Sequence, residues 1–360
     1  RSRKTAALAD VLIAETERDP GAVEIGYHDD RRFTVALRPI PLSDEADGLD
    51  LGADTVFVVT GAAGSIVSAI VGDLARASGG TFHLLDLAPE PDPDDPDLAA
   101  FAEARDGLKR TVFERLQAAG ERATPALVDR ELAGIERRHA ALAAVQAVEA
   151  AGGTAHYHSV DLLDAEAMAA ATGTIAAEGR ADVVIHAGGL EISRLLPDKE
   201  PAEFDLVFDV KADGWFNLLS GLGDVPVGAT VVFSSIAGRF GNGGQGDYSS
   251  ANDLLCKITS SRRHPDPDAI GLAVDWTAWG DIGMATRGSI PTVMREAGID
   301  LLPAAAGIPV VRRELTGDRS TREIVVAGRL GLLAEDPHPT GGLDVGTDGP
   351  VSDLSRIHIS

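Results

Sequence analysis

From about residue 54 onward, short runs of apolar residues alternate with longer stretches in which apolar side chains recur every three or four positions. The runs lie at 55–60 (TVFVVT), 81–86 (TFHLLD), 154–160 (TAHYHSV), 182–187 (DVVIHA), 229–235 (ATVVFSS), 270–275 (IGLAVD) and 323–328 (EIVVAG). Segments apolar along most of their length suit strands buried on both faces, and the stretches between them suit helices. Strand alternating with helix predicts an α/β fold, a Rossmann-type doubly wound parallel sheet spanning about 53–330. Upstream, 5–16 reads as a helix, and 22–28 and 32–38 read as a hairpin turning at His28-Asp29-Asp30-Arg31. This N-terminal piece is too small for a core of its own and is expected to pack on the main domain.

One interval breaks the rhythm. Between Asp86 and Thr154 lie 67 residues, where a crossover needs little more than a dozen. The interval opens PEPDPDDPD, a sequence hostile to regular structure, and continues with helical spacing at 97–119 and 124–150. Leu116, Leu127, Leu132, Ile135 and Leu142 are candidates for apolar stripes. We read a helical insertion over about 89–135, followed by the crossover helix. It has two readings: a solvated decoration, or a surface for a homodimer or another partner. Residues 331–360 are rich in Pro and Gly and read as a linker.

Composition narrows the class. With 44% hydrophobic and 24% charged residues the chain is no disordered polymer. A net charge of −24 argues against nucleic acid and anionic membranes as general partners. Cys256 is the sole cysteine, so no intrachain disulfide forms, and a reducing, cytoplasmic setting is expected. No apolar run approaches the ~20 residues of a membrane helix. The sequence starts at Arg1 rather than Met, as expected of a segment of something longer.

The candidate chemistry lies at strand ends. Thr60-Gly61-Ala62-Ala63-Gly64-Ser65-Ile66 follows the first strand and opens a helix, where small residues and free N–H groups suit a pyrophosphate. Asp86, followed by Leu87, ends the second strand, where a carboxylate accepts from a ribose 2′-hydroxyl. Asp161, followed by Leu162, ends the third, placed for the adenine amino group. His186-Ala187-Gly188-Gly189 ends the fourth with residues small enough to lie against a cofactor. Four such features in order point to a dinucleotide site. Further on, 231–252 reads VVFSSIAGRFGNGGQGDYSSAN. Tyr248 lies 13 residues after Ser235, Asn252 one helical turn after Tyr248, and Lys211 24 residues before Ser235.

At these residues the chain resembles the short-chain dehydrogenase/reductase superfamily. More narrowly, it resembles the ketoreductase domains of type I polyketide synthases, which carry Tyr-x-x-x-Asn with the lysine supplied earlier. The segment DWTAWG at 275–280, then Gly283-Met284, resembles that family's Trp-Gly-Pro-Trp region, and the helical insertion is similar to that of polyunsaturated-fatty-acid synthase ketoreductases. The resemblance covers about 20–330. It implies that Tyr248 gives the proton, that Ser235 bonds the substrate carbonyl and that Asn252 holds a relay water. Lys211 would lower the Tyr248 pKa and bind the nicotinamide ribose. It also implies a remnant of a truncated structural subdomain at 1–45, a lid at 281–300, and flanking synthase domains. The substrate implied is a β-ketoacyl chain on acyl carrier protein. Because carrier proteins are acidic, Arg287, Arg295, Arg312 and Arg313 are candidates for docking one.

The chain departs from the family pattern in places. Ser65 and Val67 stand where glycine is usual, and Val67 is expected to crowd the pyrophosphate contact. Asp86-Leu87 replaces an arginine that holds the 2′-phosphate of NADPH, so the resemblance implies NADPH while the residues suit NADH, with Arg76 a possible compensating cation. The markers of alcohol handedness are absent, Glu191-Ile192-Ser193 and Phe240 standing in their places. His156 and His158 share a strand face without an evident third ligand, so no metal is expected. Lys257 reads as exposed and Cys256 as a core thiol. Two rival functions are a free-standing short-chain alcohol dehydrogenase and a redox-inactive ketoreductase serving as a scaffold.

Overall fold

The computed structural model describes residues 5–18, 24–28, 31–39, 48–103, 105–261, 269–283, 290–317, 323–334 and 356–359. The N-terminal region holds α1 (Thr5–Arg18), an antiparallel hairpin of β1 (Ile25–His28) and β2 (Arg31–Thr34), and β3 (Ala36–Pro39). The expected second hairpin strand is therefore two strands. Next come β4 (Val56–Thr60), α2 (Ser65–Ser78), β5 (Thr81–Asp86), α3 (Pro96–Glu103), α4 (Arg105–Ala118) and α5 (Pro125–Ala150). They lead into β6 (Thr154–Ser159), α6 (Ala165–Ala176), β7 (Ala181–His186), α7 (Pro201–Leu222), β8 (Val227–Ser235), α8 (Ile236–Phe240) and α9 (Gly246–Ser261). The chain closes with β9 (Ile270–Trp276), α10 (Ile290–Glu296), α11 (Ala304–Gly307), α12 (Val310–Thr316), β10 (Glu323–Val326) and β11 (Arg356–Ile359).

All seven strands expected from the apolar runs form one parallel sheet, in the order β6-β5-β4-β7-β8-β9-β10. Beyond β10 the sheet continues through β11 to β3, both parallel to it. The tail read as linker thus contributes a strand. Winding reverses between β4 and β7, and there a crevice opens at the strands' C-terminal ends.

Alternation along the strands divides the core into two layers. Phe57, Val59, Phe82 and Leu84 pack with Ile70 and Leu74 of α2, the two phenylalanine rings stacking at 4.2 Å. Val58, Leu85 and Val184 face Met168 of α6, Trp215 and Leu218 of α7 and Leu255 of α9.

The insertion has its own small core of Leu98, Leu108, Val112, Leu116, Val128, Leu132 and Ile135. Its last helix and the crossover are a single helix, α5, which passes unbroken through residue 135. Thr124 caps it by accepting from Leu127 N (3.3 Å), and Pro125 occupies the first turn, where its missing N–H costs nothing. Buried Ala140, Ala141, Ala144 and Val148 form its later face, small enough to bring Ala147 close to Gly72 of α2. The N-terminal piece is tied to the body through Glu24, whose carboxylate accepts from Arg239 and Lys257, each at 2.8 Å. Lys257, expected to be exposed, has a side chain 41% exposed and is paired there. Among the described residues no helix is long and apolar enough to cross a membrane.

Candidate active site

The glycine-rich turn leaves β4 at Thr60 and enters α2. Gly61 has φ +72°, and a Cβ there would lie 2.7 Å from Ala187 O, so this turn and the one after β7 touch through bare backbone. Gly64, the N-cap of α2, has no side chain to bond the first-turn N–H groups, leaving these donors and the positive end of the helix for an anion. This cradle fits a dinucleotide pyrophosphate. Ser65, standing for the family's glycine, accepts from Gly283 N (3.1 Å) and so joins the turn to the start of the expected lid. Val67 is buried in the core with Phe57 and Ile70 and also lies against the turn, its Cγ2 3.6 Å from where a Cβ on Gly64 would fall. Ile66 packs where a Cβ on Gly283 would fall.

Asp86 is not placed as the sequence suggested. It is 2% exposed, and both oxygens are engaged. Oδ2 accepts from Ala63 N (3.0 Å), while Oδ1 accepts from Ala88 N (2.9 Å) and from Arg137 Nη2 (2.6 Å). The carboxylate therefore fastens the phosphate turn to β5 and is neutralised from α5. Leu87 beside it is exposed. Arg76 lies in the last turn of α2, about 16 Å along the helix from its first residue, and faces Asp73 at 3.9 Å. It is too far away to compensate. Asp161 is exposed and accepts from Leu163 N (3.0 Å), whereas Leu162 is buried.

The small residues after β7 turn out to serve internal packing. A Cβ on Gly188 would come within 2.5 Å of Leu162 Cδ1, and one on Gly189 within 2.8 Å of Lys211 Cε. His186 is fully buried between Thr60 and α7. Its Nε2 faces the Lys211 carbonyl oxygen (2.9 Å), a group that only accepts, so Nε2 carries the proton and Nδ1 accepts from the Thr60 hydroxyl (2.9 Å). Thr60 Oγ1 accepts in turn from Ala187 N (3.1 Å) and Gly188 N (3.2 Å). Burial, then the Lys211 charge, pushes His186 down to about 3, so it is neutral. In the sequence this histidine is marked only by its small neighbours. In the fold it clamps three segments and sets the backbone of Lys211.

The residues singled out for catalysis meet at the same edge. Lys211, 4% exposed on α7, donates from Nζ to Phe233 O (2.9 Å) and lies over the Tyr248 ring, 5.8 Å from its centroid. Ser235 ends β8 and caps α8, accepting from Ala237 N (3.1 Å), which leaves its own proton to donate. Its side chain faces the phenol of Tyr248 on α9. Asn252, one turn along α9 and fully buried, donates Nδ2 to Tyr248 O (2.7 Å), and its Oδ1 is unpartnered. Alternation along β8 turns Ser234 to the opposite side, against Cys256 Sγ (3.1 Å). The N-terminus of α9 is held by a buried ion pair that the sequence gave no sign of, Lys199 with Asp247, which itself accepts from Tyr248 N (2.9 Å).

One electrostatic expectation is corrected. The Tyr248 phenol is pushed up, chiefly by burial and also by the Glu191 carboxylate, while the polar side chains of Ser235 and Asn252 beside it pull the other way. Lys211 is itself driven down to about 8 because its ammonium is desolvated. Behind the site, burial and Glu323 raise Asp275 to about 7, and burial holds the Cys256 thiol well up, as suits a core thiol. Elsewhere, on the outer strands, a third histidine joins the expected pair. His83 Nδ1 lies 3.1 Å from His158 Nε2, with Glu178 3.0 Å from His83 Nε2, and burial lowers both His83 and His158.

Of the lid expected over 281–300, residues 281–283 and 290–300 are described, the latter including α10, while Arg287 lies outside the described residues. Arg295 is exposed in the last turn of α10, and Arg312 is bound to Asp73 (2.7 Å).

Comparison with known proteins places the chain in a family. Residues 55–281 match the model of the KR domain family. The chain is 31% identical over 329 residues to a polyunsaturated fatty acid synthase subunit of Thraustochytrium sp., covering 89% of this chain but 11% of that protein. It is 30% identical over 184 residues to polyketide synthase ThaG of Burkholderia thailandensis, covering 49% of this chain and 3% of that one. The chain thus spans a small part of the curated relatives it matches. Among solved structures, A-type ketoreductases from a modular polyketide synthase superpose with a TM-score of 0.63 at 19% identity, over 88% of this chain and 56% of theirs. With the family match extending over more than half of its length, the chain belongs to the KR domain family, the ketoreductases of the short-chain dehydrogenase/reductase superfamily.

Proposed function

We propose that this domain reduces a β-ketoacyl group, carried on acyl carrier protein, to the β-hydroxyacyl product within a multidomain synthase. The observation that carries the reading is the meeting of Lys211, Ser235, Tyr248 and Asn252 beside a glycine turn with free helix N–H donors. A nicotinamide cofactor would be held by the turn at 60–66 and the residues after β7, and would supply the hydride.

Hydride arrival at the carbonyl carbon places negative charge on its oxygen. Ser235, held in place as it accepts from Ala237 N, donates its proton in a hydrogen bond to that oxygen. Tyr248 transfers its phenolic proton to the forming alkoxide. A phenol kept protonated by burial is a suitable donor, and the nearby Lys211 ammonium stabilises the phenolate left behind. Asn252 Oδ1, buried and unpartnered, is an acceptor available to a water that returns the proton. Carrier docking falls to the lid side, where Arg295 is the exposed candidate.

The test is Tyr248→Phe assayed on a β-ketoacyl thioester with NADPH and NADH. We expect turnover to fall by about 10³-fold while nucleotide affinity stays within twofold. Equal and absent turnover in both proteins would favour the scaffold reading. Turnover on free small alcohols with no benefit from a carrier would favour a free-standing dehydrogenase.

A further inference from the structure

We propose that Arg137, delivered by the crossover helix α5, is the residue that holds the 2′-phosphate of NADPH, so that the helix carrying the insertion sets cofactor preference. The inference rests on the cofactor reading above and adds a specific residue to it. In a doubly wound sheet the adenosine ribose lies at the end of the second strand, beside the pyrophosphate turn. Here that strand is β5, and its terminal acid has been withdrawn from solvent. Asp86 is 2% exposed, with Ala63 N and Ala88 N filling its oxygens along with Arg137. Little of it is left for a ribose diol, and its charge is cancelled by a guanidinium 2.6 Å away.

The group that solvent meets at this position is Arg137, whose side chain is 52% exposed. A guanidinium has five N–H donors in a planar fork, and Arg137 uses Nη2 on Asp86. Among the described residues no other acid forms an ion pair with it. Its free edge is suited to a phosphate dianion, which binds arginine in two parallel charge-assisted bonds. The neighbouring cations do not compete. Arg138 reaches Asp95 at 3.4 Å, and Arg76 sits at the wrong end of α2. Because Asp86 also holds Ala63, Arg137 is joined to the phosphate turn through one carboxylate.

The experiment is calorimetric titration of the whole chain with adenosine 2′,5′-bisphosphate and with 5′-AMP, which differ by the 2′-phosphate alone, and with NADPH and NADH. The wild-type chain should bind each 2′-phosphorylated ligand at least about tenfold more tightly than its partner, a margin that shrinks as salt rises. Arg137→Gln should erase the margin and leave 5′-AMP and NADH within twofold. Since that variant strips a buried carboxylate of its partner, the double variant Asp86→Asn, Arg137→Gln is measured beside it and should behave alike. Arg137→Lys should retain part of the margin. Binding of 5′-AMP and NADH without any 2′-phosphate preference in the wild type overturns this assignment alone. So does a margin that survives in both Gln variants. Failure of every nucleotide to bind overturns the cofactor reading as well.

Discussion

The two ends of the candidate cofactor cleft are built in different ways. At the catalytic end, Ser235, Tyr248 and Asn252 come from one continuous stretch of strand, turn and helix, and their mutual placement follows from local geometry. Only Lys211 arrives from another helix, and it is aimed by a buried histidine that fixes its backbone. At the adenosine end the residue next to the phosphate turn, Asp86, takes its partner from 51 residues further along, beyond an inserted subdomain. Local spacing writes the first kind of site into the sequence, whereas the second needs an extra structural element in place. The catalytic end should therefore tolerate damage to the insertion, and the adenosine end should not.

The largest effect on that comparison should come from Lys211. Replacing it with Met removes the ammonium beside the phenol, and we expect turnover to drop about 100-fold to 1,000-fold with the fold intact by circular dichroism. The wild-type lysine titrates near 8, below its ordinary value, so turnover that needs the ammonium should decline as pH rises through that value. An alkaline limb unchanged in position in Lys211→Met would remove the lysine from the mechanism.

Next in size is Ile135→Ala, a cavity in the insertion core just ahead of Arg137 on α5. Such truncations cost about 2–5 kcal/mol. Hydrogen exchange should speed up in α3, α4 and the first half of α5 while α7 and α9 stay protected. The KM for the phosphorylated cofactor should rise with kcat nearly unchanged. Equal loss of protection across the sheet would mean that the two ends are one cooperative unit.

A smaller effect is expected at His186, and it has a pH signature. Its folded pKa of about 3 lies below the ordinary 6.5, so unfolding takes up a proton between these values. The stability it contributes is present above about 6.5 and is lost as pH falls toward 3. His186→Gln should lose about 1–3 kcal/mol at neutral pH, and its gap from wild type should narrow steadily on acidification, read by urea unfolding at each pH. A constant gap would show that His186 contributes packing alone. Smallest is Ser65→Gly, which deletes the bond to Gly283 N. About 1 kcal/mol or less is at stake, seen as faster proteolysis near 283 with turnover within a few-fold.

Six of the seven strands were legible because a strand covered on both faces must be apolar along most of its length; the other, β6, forms the edge of the sheet, and none of its residues is fully buried. The Ser235–Tyr248–Asn252 spacing was legible because a strand end, a turn and one helical turn have fixed lengths. Asp86 was misread because a strand-end acid does not declare its partner. The insertion boundary at 135 was drawn through a helix, since no glycine–proline break separates the inserted part from the crossover.

The sequence by itself determined the α/β class, the strand order along the chain, the site edge and the residue types able to move a proton there. These depend on local periodicity and short spacings. The tertiary structure alone decided that Asp86 is enclosed and that Arg137 stands in front of it. It also decided that His186 is neutral and orients Lys211, and that Tyr248 is raised rather than lowered. Each of these depends on how much water is excluded and on which distant charge is brought near, and both are set by packing between segments far apart in the chain.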